Sequence, residues 1–341
     1  MDSPVLSIHK LGFQWVTKDP FLFCAHHNDL YPHGNELMGP SSSLKGHSMG
    51  NDFSEQLEWR MYHGRQVPGF PVHPHRGFET ITVVLSGFID HTDSAGGAGR
   101  YGNGDVQWMT AGTGLQHSEM FPLVNKDQNN PLELFQIWLN LPRSKKMVNP
   151  YFKMLWKEGI PKIKVEDKNG IVTTVTIITG SSNGMTVKAP APDSWAADPD
   201  NEVSILRIEM EPSGTFIIPP ASSTVNRMLF FYLGKDIKIN DEWIESHHSV
   251  DLNPEIGIII NNGDQKSELM LLQGKPINEP VVQYGPFVMN SQQEIQQTVA
   301  DYRRTEFGGW PWPDDEYVHG GEPRFARYAD GSVEYPEGTD K

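Results

Sequence analysis

The sequence contains almost no cysteine. Cys24 is alone among 341 residues, which excludes an intrachain disulfide and agrees with a reducing compartment without requiring one. An excess of positive charge is also missing. The 43 acidic and 28 basic side chains leave a formal net charge of -15, which argues against a general nucleic-acid or anionic-membrane surface. There is no run of about eighteen apolar residues, so no membrane span is expected. Met1-Asp2-Ser3-Pro4 has neither the basic nor the apolar region of a secretory signal. Cytoplasm is the expected location, or the nucleus in a eukaryotic cell. Turn chemistry is plentiful instead: 32 Gly and 26 Pro, with hydrophobic residues at 37%, fit short strands joined by many turns. The length suffices for two domains of ordinary size.

Against this background one run stands out. Pro71-Val72-His73-Pro74-His75-Arg76-Gly77-Phe78-Glu79-Thr80 is answered later by His117-Ser118-Glu119-Met120. On a strand, residues i and i+2 share a face, so His73 and His75 point together, as do His117 and Glu119. Two neighbouring strands carrying these pairs can close three imidazoles and a carboxylate around one ion. Nitrogen and oxygen donors of this kind suit Fe, Mn, Ni, Cu or Zn. A lone His-x-His is a weak signal, because alternating histidines also occur on exposed strands or as hydrogen-bonded core pairs. Two ordered pairs separated by turn-rich sequence are a much stronger one.

The intervening sequence reads as strands and turns. Thr80–Leu85 is rich in β-branched residues and ends at Ser86-Gly87. Phe88–His91 is the return strand, Ser94–Gly99 a loop, and Val106–Thr110 a further strand before Ala111-Gly112-Thr113-Gly114 turns. Gly97-Ala98-Gly99-Arg100-Tyr101-Gly102 matches Gly-x-Gly-x-x-Gly, but no helical period follows it, so it reads as a hairpin loop rather than a dinucleotide site. His-x-His-x3-Glu followed by Gly-x2-His is the plan of a cupin, a small double-sheet jelly-roll barrel.

The segments His73–Thr80, Asp105–Gly112 and His117–Met120 resemble the signature of the pirin family. Glu279–Asn290 resembles the end of the pirin second barrel. The resemblance covers roughly residues 20 to 305 and implies an all-β fold of two tandem cupin barrels, with metal, typically Fe(II), in the first only. Carried over by motif, the metal ligands fall on His73, His75, His117 and Glu119. Glu79 occupies the carboxylate position of ordinary cupins and shares the face of His73 and His75; it is the alternative ligand or a group orienting a ligand imidazole. Some pirins cleave quercetin with O2. The resemblance therefore implies a dioxygenase for a flavonol-like aromatic substrate, with Glu119 both ligand and base. As the alternative it implies a different class, a redox-sensitive, metal-dependent regulatory protein that binds a protein partner without catalytic turnover, with Arg76 beside the ligands as a contact.

The expected divisions are a metal-binding barrel over 1–145, a linker over 146–160 with a short helical or irregular stretch at Phe152–Lys157, and a metal-free barrel over 161–290. A helix over 291–304 and an extension over 305–341 follow. The second barrel has no His-x-His, and the adjacent His247 and His248 face opposite ways on a strand. Ser291 and Glu294 form a capping box; Ile295, Val299 and Tyr302 share one helical face. In the extension, Asp330-Gly331 closes a small hairpin. His26 and His27 read as loop residues near a barrel mouth. His91 reads as a solvated strand end, and Trp108, Phe78, Met109 and Met120 as core or pocket lining.

Overall fold

A computed structural model describes residues 3–54 and 56–338. It is built from antiparallel strands with one α-helix, Gln292–Thr305, and falls into two compact units. The first comprises the chain up to Cys24, Trp138–Leu141 and Ile160–Asn278. Its large sheet runs in the order Val5–Lys10, His248–Leu252, Asn226–Leu233, Ser267–Gly274, Ser204–Met210, Val172–Ser182, Lys162–Glu166. A smaller sheet orders Thr215–Ile218, Ile258–Asn262, Asp236–Ile239 and Glu242–Glu245. Alternate residues from the two sheets, among them Ile208, Leu229, Phe231, Ile237, Ile260 and Leu271, fill one buried core, as period-2 patterning requires of two packed sheets.

The second unit comprises Ala25–Ile137, Pro142–Gly159 and the chain from Glu279. One of its sheets orders Tyr151–Leu155, Val106–Thr110, Phe78–Ser86, Asn130–Asn140 and Phe21–Tyr31, the last two having most of their length in this unit. The other orders Gly69–His75, Leu115–Met120, Phe88–Asp93, Ala98–Gly102, Phe325–Arg327 and Val333–Glu334. The C-terminal extension therefore adds two strands to the sheet that carries both histidine motifs. Its Asp330-Gly331 turn is present: Gly331 N–H donates to Tyr328 O and Tyr328 N–H to Ser332 O, each at 2.9 Å.

Several expectations give way here. The chain up to Cys24 joins the unit of residues 160–278 rather than the first barrel, because Val5–Lys10 pairs along His248–Leu252. The stretch expected to be helical or irregular at Phe152–Lys157 is largely the strand Tyr151–Leu155, whose alternate residues Phe152 and Met154 are buried. The loop assigned to Ser94–Gly99 ends early, since Ala98–Gly102 is a strand. Most of the Gly-x-Gly-x-x-Gly match thus lies on a sheet. His26 and His27 lie on the strand Phe21–Tyr31, not in a loop; His26 stacks on Phe135 with centroids 4.5 Å apart.

The helix begins as its sequence requires. Ser291 Oγ accepts from Glu294 N–H at 3.2 Å, and the Glu294 carboxylate accepts from Asn290 N–H and Ser291 Oγ–H, both at 3.0 Å. Ile295, Val299 and Tyr302 pack with Phe287, Met289 and Phe307. Gly77, two residues after His75, has φ +87°, and a Cβ there would lie 2.1 Å from Val288 O. Gly77→Ala is therefore expected to cost about 1–3 kcal/mol from its backbone conformation alone, with the clash in addition. Chemical denaturation of the two proteins measures this; equal midpoints would refute it.

Candidate metal centre

Local alternation and one cross-strand register assemble the centre. Gly69–His75 pairs with Leu115–Met120 so that His73 lies opposite His117. The shared face of i and i+2 then brings His75 to the same spot. Ring centroids are 4.4 Å apart for His73 and His117, and 4.8 Å for both His73–His75 and His75–His117. One ring nitrogen from each of the three lies within 4.8 Å of the others. A bulge between Phe70 and His73 in the first strand shifts the register next to the site, a common position for a bulge beside a functional centre.

Hydrogen bonds orient two of the rings. His73 Nδ1–H donates to Pro71 O at 2.8 Å, and His75 Nδ1–H to Pro286 O at 3.4 Å. With Nδ1 as the donor, Nε2 of each ring keeps its lone pair for a ligand role, an arrangement typical of metal-bound imidazole. Burial pushes His73 down to about 4, and His75 and His117 well below the usual histidine range. All three are neutral bases at neutral pH, the protonation state that a ligand needs.

His117 is the telling residue. Its side chain is fully buried, yet neither Nδ1 nor Nε2 has a hydrogen-bond partner among the described residues. Buried polar atoms are rarely left so, and a cation among the three rings would take the lone pair of one of the two nitrogens. The donor chemistry therefore fits a transition-metal ion.

Glu119 lies beside this trio, with Oε2 3.8 Å from His117 Nε2. Its oxygens accept from Thr82 Oγ1 at 3.2 Å and Gln136 Nε2 at 2.7 Å. Burial raises its pKa, with nearby His91 and the two hydrogen bonds pulling the other way. Glu79 is buried too, but its Oε1 accepts from Thr110 Oγ1 at 2.7 Å, across the strand pair that joins Glu79 to Thr110.

Two sequence readings are corrected. His91 is not solvated: it is fully buried, pairs across the sheet with Glu119, and has its ring 5.6 Å from that of His117. Its Nε2 lies 3.1 Å from Asp93 Oδ2. His91-x-Asp93 alternates just as the ligand pairs do, and that spacing could have marked it. Arg76 is not an exposed contact either. It donates to Thr113 O at 2.6 Å and Asp301 Oδ2 at 2.9 Å, and lies over the Phe307 ring. It clamps the C-terminal helix to the turn before His117. Trp108, Phe78, Met109 and Met120 are buried as expected.

Beside His73 is an aromatic cluster in which Phe70 is central. Phe70 stacks on Tyr62 at 5.3 Å and contacts His63 at 5.7 Å and His73 at 6.4 Å. The extension passes close by: Val72 N–H donates to Asp315 O, and the Glu316 carboxylate accepts from the backbone N–H groups of Arg65, Gln66 and Val67. No helix is long and apolar enough to cross a membrane among the described residues.

Comparison with known proteins covers both barrels. The profile described as Pirin matches residues 13–139, and that of the Pirin C-terminal cupin domain matches residues 205–308. A pirin-like protein of Solanum lycopersicum is 39% identical over 241 residues, 70% of this chain and 76% of its own. Human pirin is 36% identical over 253 residues, 72% of this chain and 80% of its own. A Pseudomonas aeruginosa protein provisionally designated a quercetin 2,3-dioxygenase is 32% identical over 249 residues, 71% of this chain and 80% of its own. The crystal structure of quercetin 2,3-dioxygenase from Acinetobacter baumannii superposes with TM-score 0.69 at 24% identity, covering 89% of this chain and 98% of that one. At that identity the likeness speaks for the two-barrel fold.

Proposed function

This chain belongs to the pirin family of bicupins, and from that premise we propose that it is an iron-dependent dioxygenase for flavonol-type substrates, of the quercetin 2,3-dioxygenase kind. The observation that carries the reading is the convergence of His73, His75 and His117 with both His117 ring nitrogens unsatisfied. His73, His75, His117 and Glu119 would hold the ion. Bound iron would supply the redox chemistry with O2 that no side chain here can perform.

The chain's own residues account for the rest. Glu119 would balance part of the ion's charge, and burial gives its carboxylate a raised proton affinity. That suits it to accept the proton of a substrate enol hydroxyl at Oε2. Thr82 and Gln136 hold the carboxylate in place while it does so. Phe70 and its aromatic neighbours offer ring faces beside His73 for a flat aromatic ligand. The buried setting of His75, His117 and Glu119 excludes water from the reacting atoms.

The reading is tested on anaerobically purified protein, with metal content by mass spectrometry and quercetin absorbance followed alongside O2 uptake. About one iron per chain with matched loss of quercetin and O2 is expected. Iron-loaded protein that consumes neither would refute it.

A further inference from the structure

The barrel without a histidine motif contains a cavity of about 260 Å3 with a buried cation in its wall. Arg227 is 4% exposed. Its Nε–H donates to Gln273 Oε1 at 2.7 Å and its Nη1–H to Pro219 O at 2.9 Å. Both acceptors are neutral, and Nη2 has no acceptor among the described residues. A guanidinium does not shed its charge by losing a proton, and a buried charge is normally paired. Burial pulls Arg227 down to about 10, only partly opposed by the field of Glu202. The two neutral hydrogen bonds fix the orientation of the guanidinium and leave one corner open.

The rest of the cavity indicates what would fill it. Leu206, Phe216, Ile218 and Leu271 form an apolar floor around the cation. Lys188 adds a second positive charge to the lining. Glu202 and Asp198 also border the cavity, but both carboxylates are engaged. Glu202 accepts from Ser222 N–H and Oγ–H, and Asp198 caps a helical turn through Asp200 N–H.

We propose that this cavity is a second ligand site, one that binds a small organic acid with its carboxylate on Arg227 and its apolar body on the floor. The pairing would give the open corner of the guanidinium a charge-assisted hydrogen bond, which neither of its neutral acceptors supplies. The site lies wholly within the unit of residues 160–278 and does not depend on the dioxygenase reading.

The test uses metal-loaded full-length protein and two fluorinated probes, 4-fluorobenzoate and the neutral 4-fluorobenzyl alcohol, followed by 19F NMR. Arg227→Gln removes the charge. Ala197→Phe narrows the cavity from its rim with the guanidinium intact, and remains informative if the first variant does not fold. Saturable binding of the acid in the millimolar range or tighter is expected, weakened about tenfold or more in each variant, with the alcohol binding no better than the acid binds to Arg227→Gln. No saturable binding would overturn the proposal. Equal affinity for the acid in wild type and the folded variants would overturn it too, since that places the acid elsewhere, at the metal centre for instance.

Discussion

His117→Ala is expected to remove bound metal and quercetin turnover together. Two imidazoles and one carboxylate would remain, and the missing ring is one whose centroid lies within 4.8 Å of both others. Metal content should fall from about one ion per chain to a small fraction, and turnover below detection. The metal-free fold, by contrast, should suffer only the cavity cost of a truncated core side chain, about 2–5 kcal/mol. His117 makes no hydrogen bond that the substitution could break, so the usual penalty of orphaned partners does not arise. Metal analysis, O2 uptake and thermal unfolding of the chelated proteins separate these effects. Full turnover in a metal-free variant would refute the mechanism.

Glu119→Gln is expected to slow turnover by about 100- to 10,000-fold, the range for a lost general base, with little change in fold. The amide keeps the carboxylate's shape, and its oxygen can still accept from Thr82 Oγ1. Its Nε2, however, would face the Gln136 Nε2 donor, so Gln136 must turn its own amide. The charge is the principal loss, and the effect should therefore appear mainly in kcat rather than KM. Glu79→Gln is the comparison. Its carboxylate is hydrogen-bonded to Thr110, so the metal should be retained. Metal loss in Glu79→Gln together with normal metal and turnover in Glu119→Gln would transfer the ligand role to Glu79.

The legible features were those set by local periodicity. Alternation in a strand depends only on the backbone, so His73 with His75 and His117 with Glu119 could be assigned to one face before any strand was paired. The same holds for the helix start at Ser291, a contact across three residues, and for the Asp330-Gly331 turn. His91 was misread because its neighbours along the chain are polar, whereas its burial comes from pairing with a strand nearly thirty residues later. Arg76 was misread for a related reason: its carboxylate partner, Asp301, lies on the far C-terminal helix.

By itself, then, the sequence determined the donor types and their pairing by parity, and it carried the family resemblance that implied two barrels. Tertiary structure decided how those pairs converge, and placed Thr82 and Gln136 on the Glu119 carboxylate. It also assigned the first strand to the barrel of residues 160–278 and enclosed Arg227 in a cavity wall. The division follows from the range of the forces involved. Backbone sterics fix which face a residue takes, while burial, register and the partner of a charge depend on which distant strands come to lie beside it.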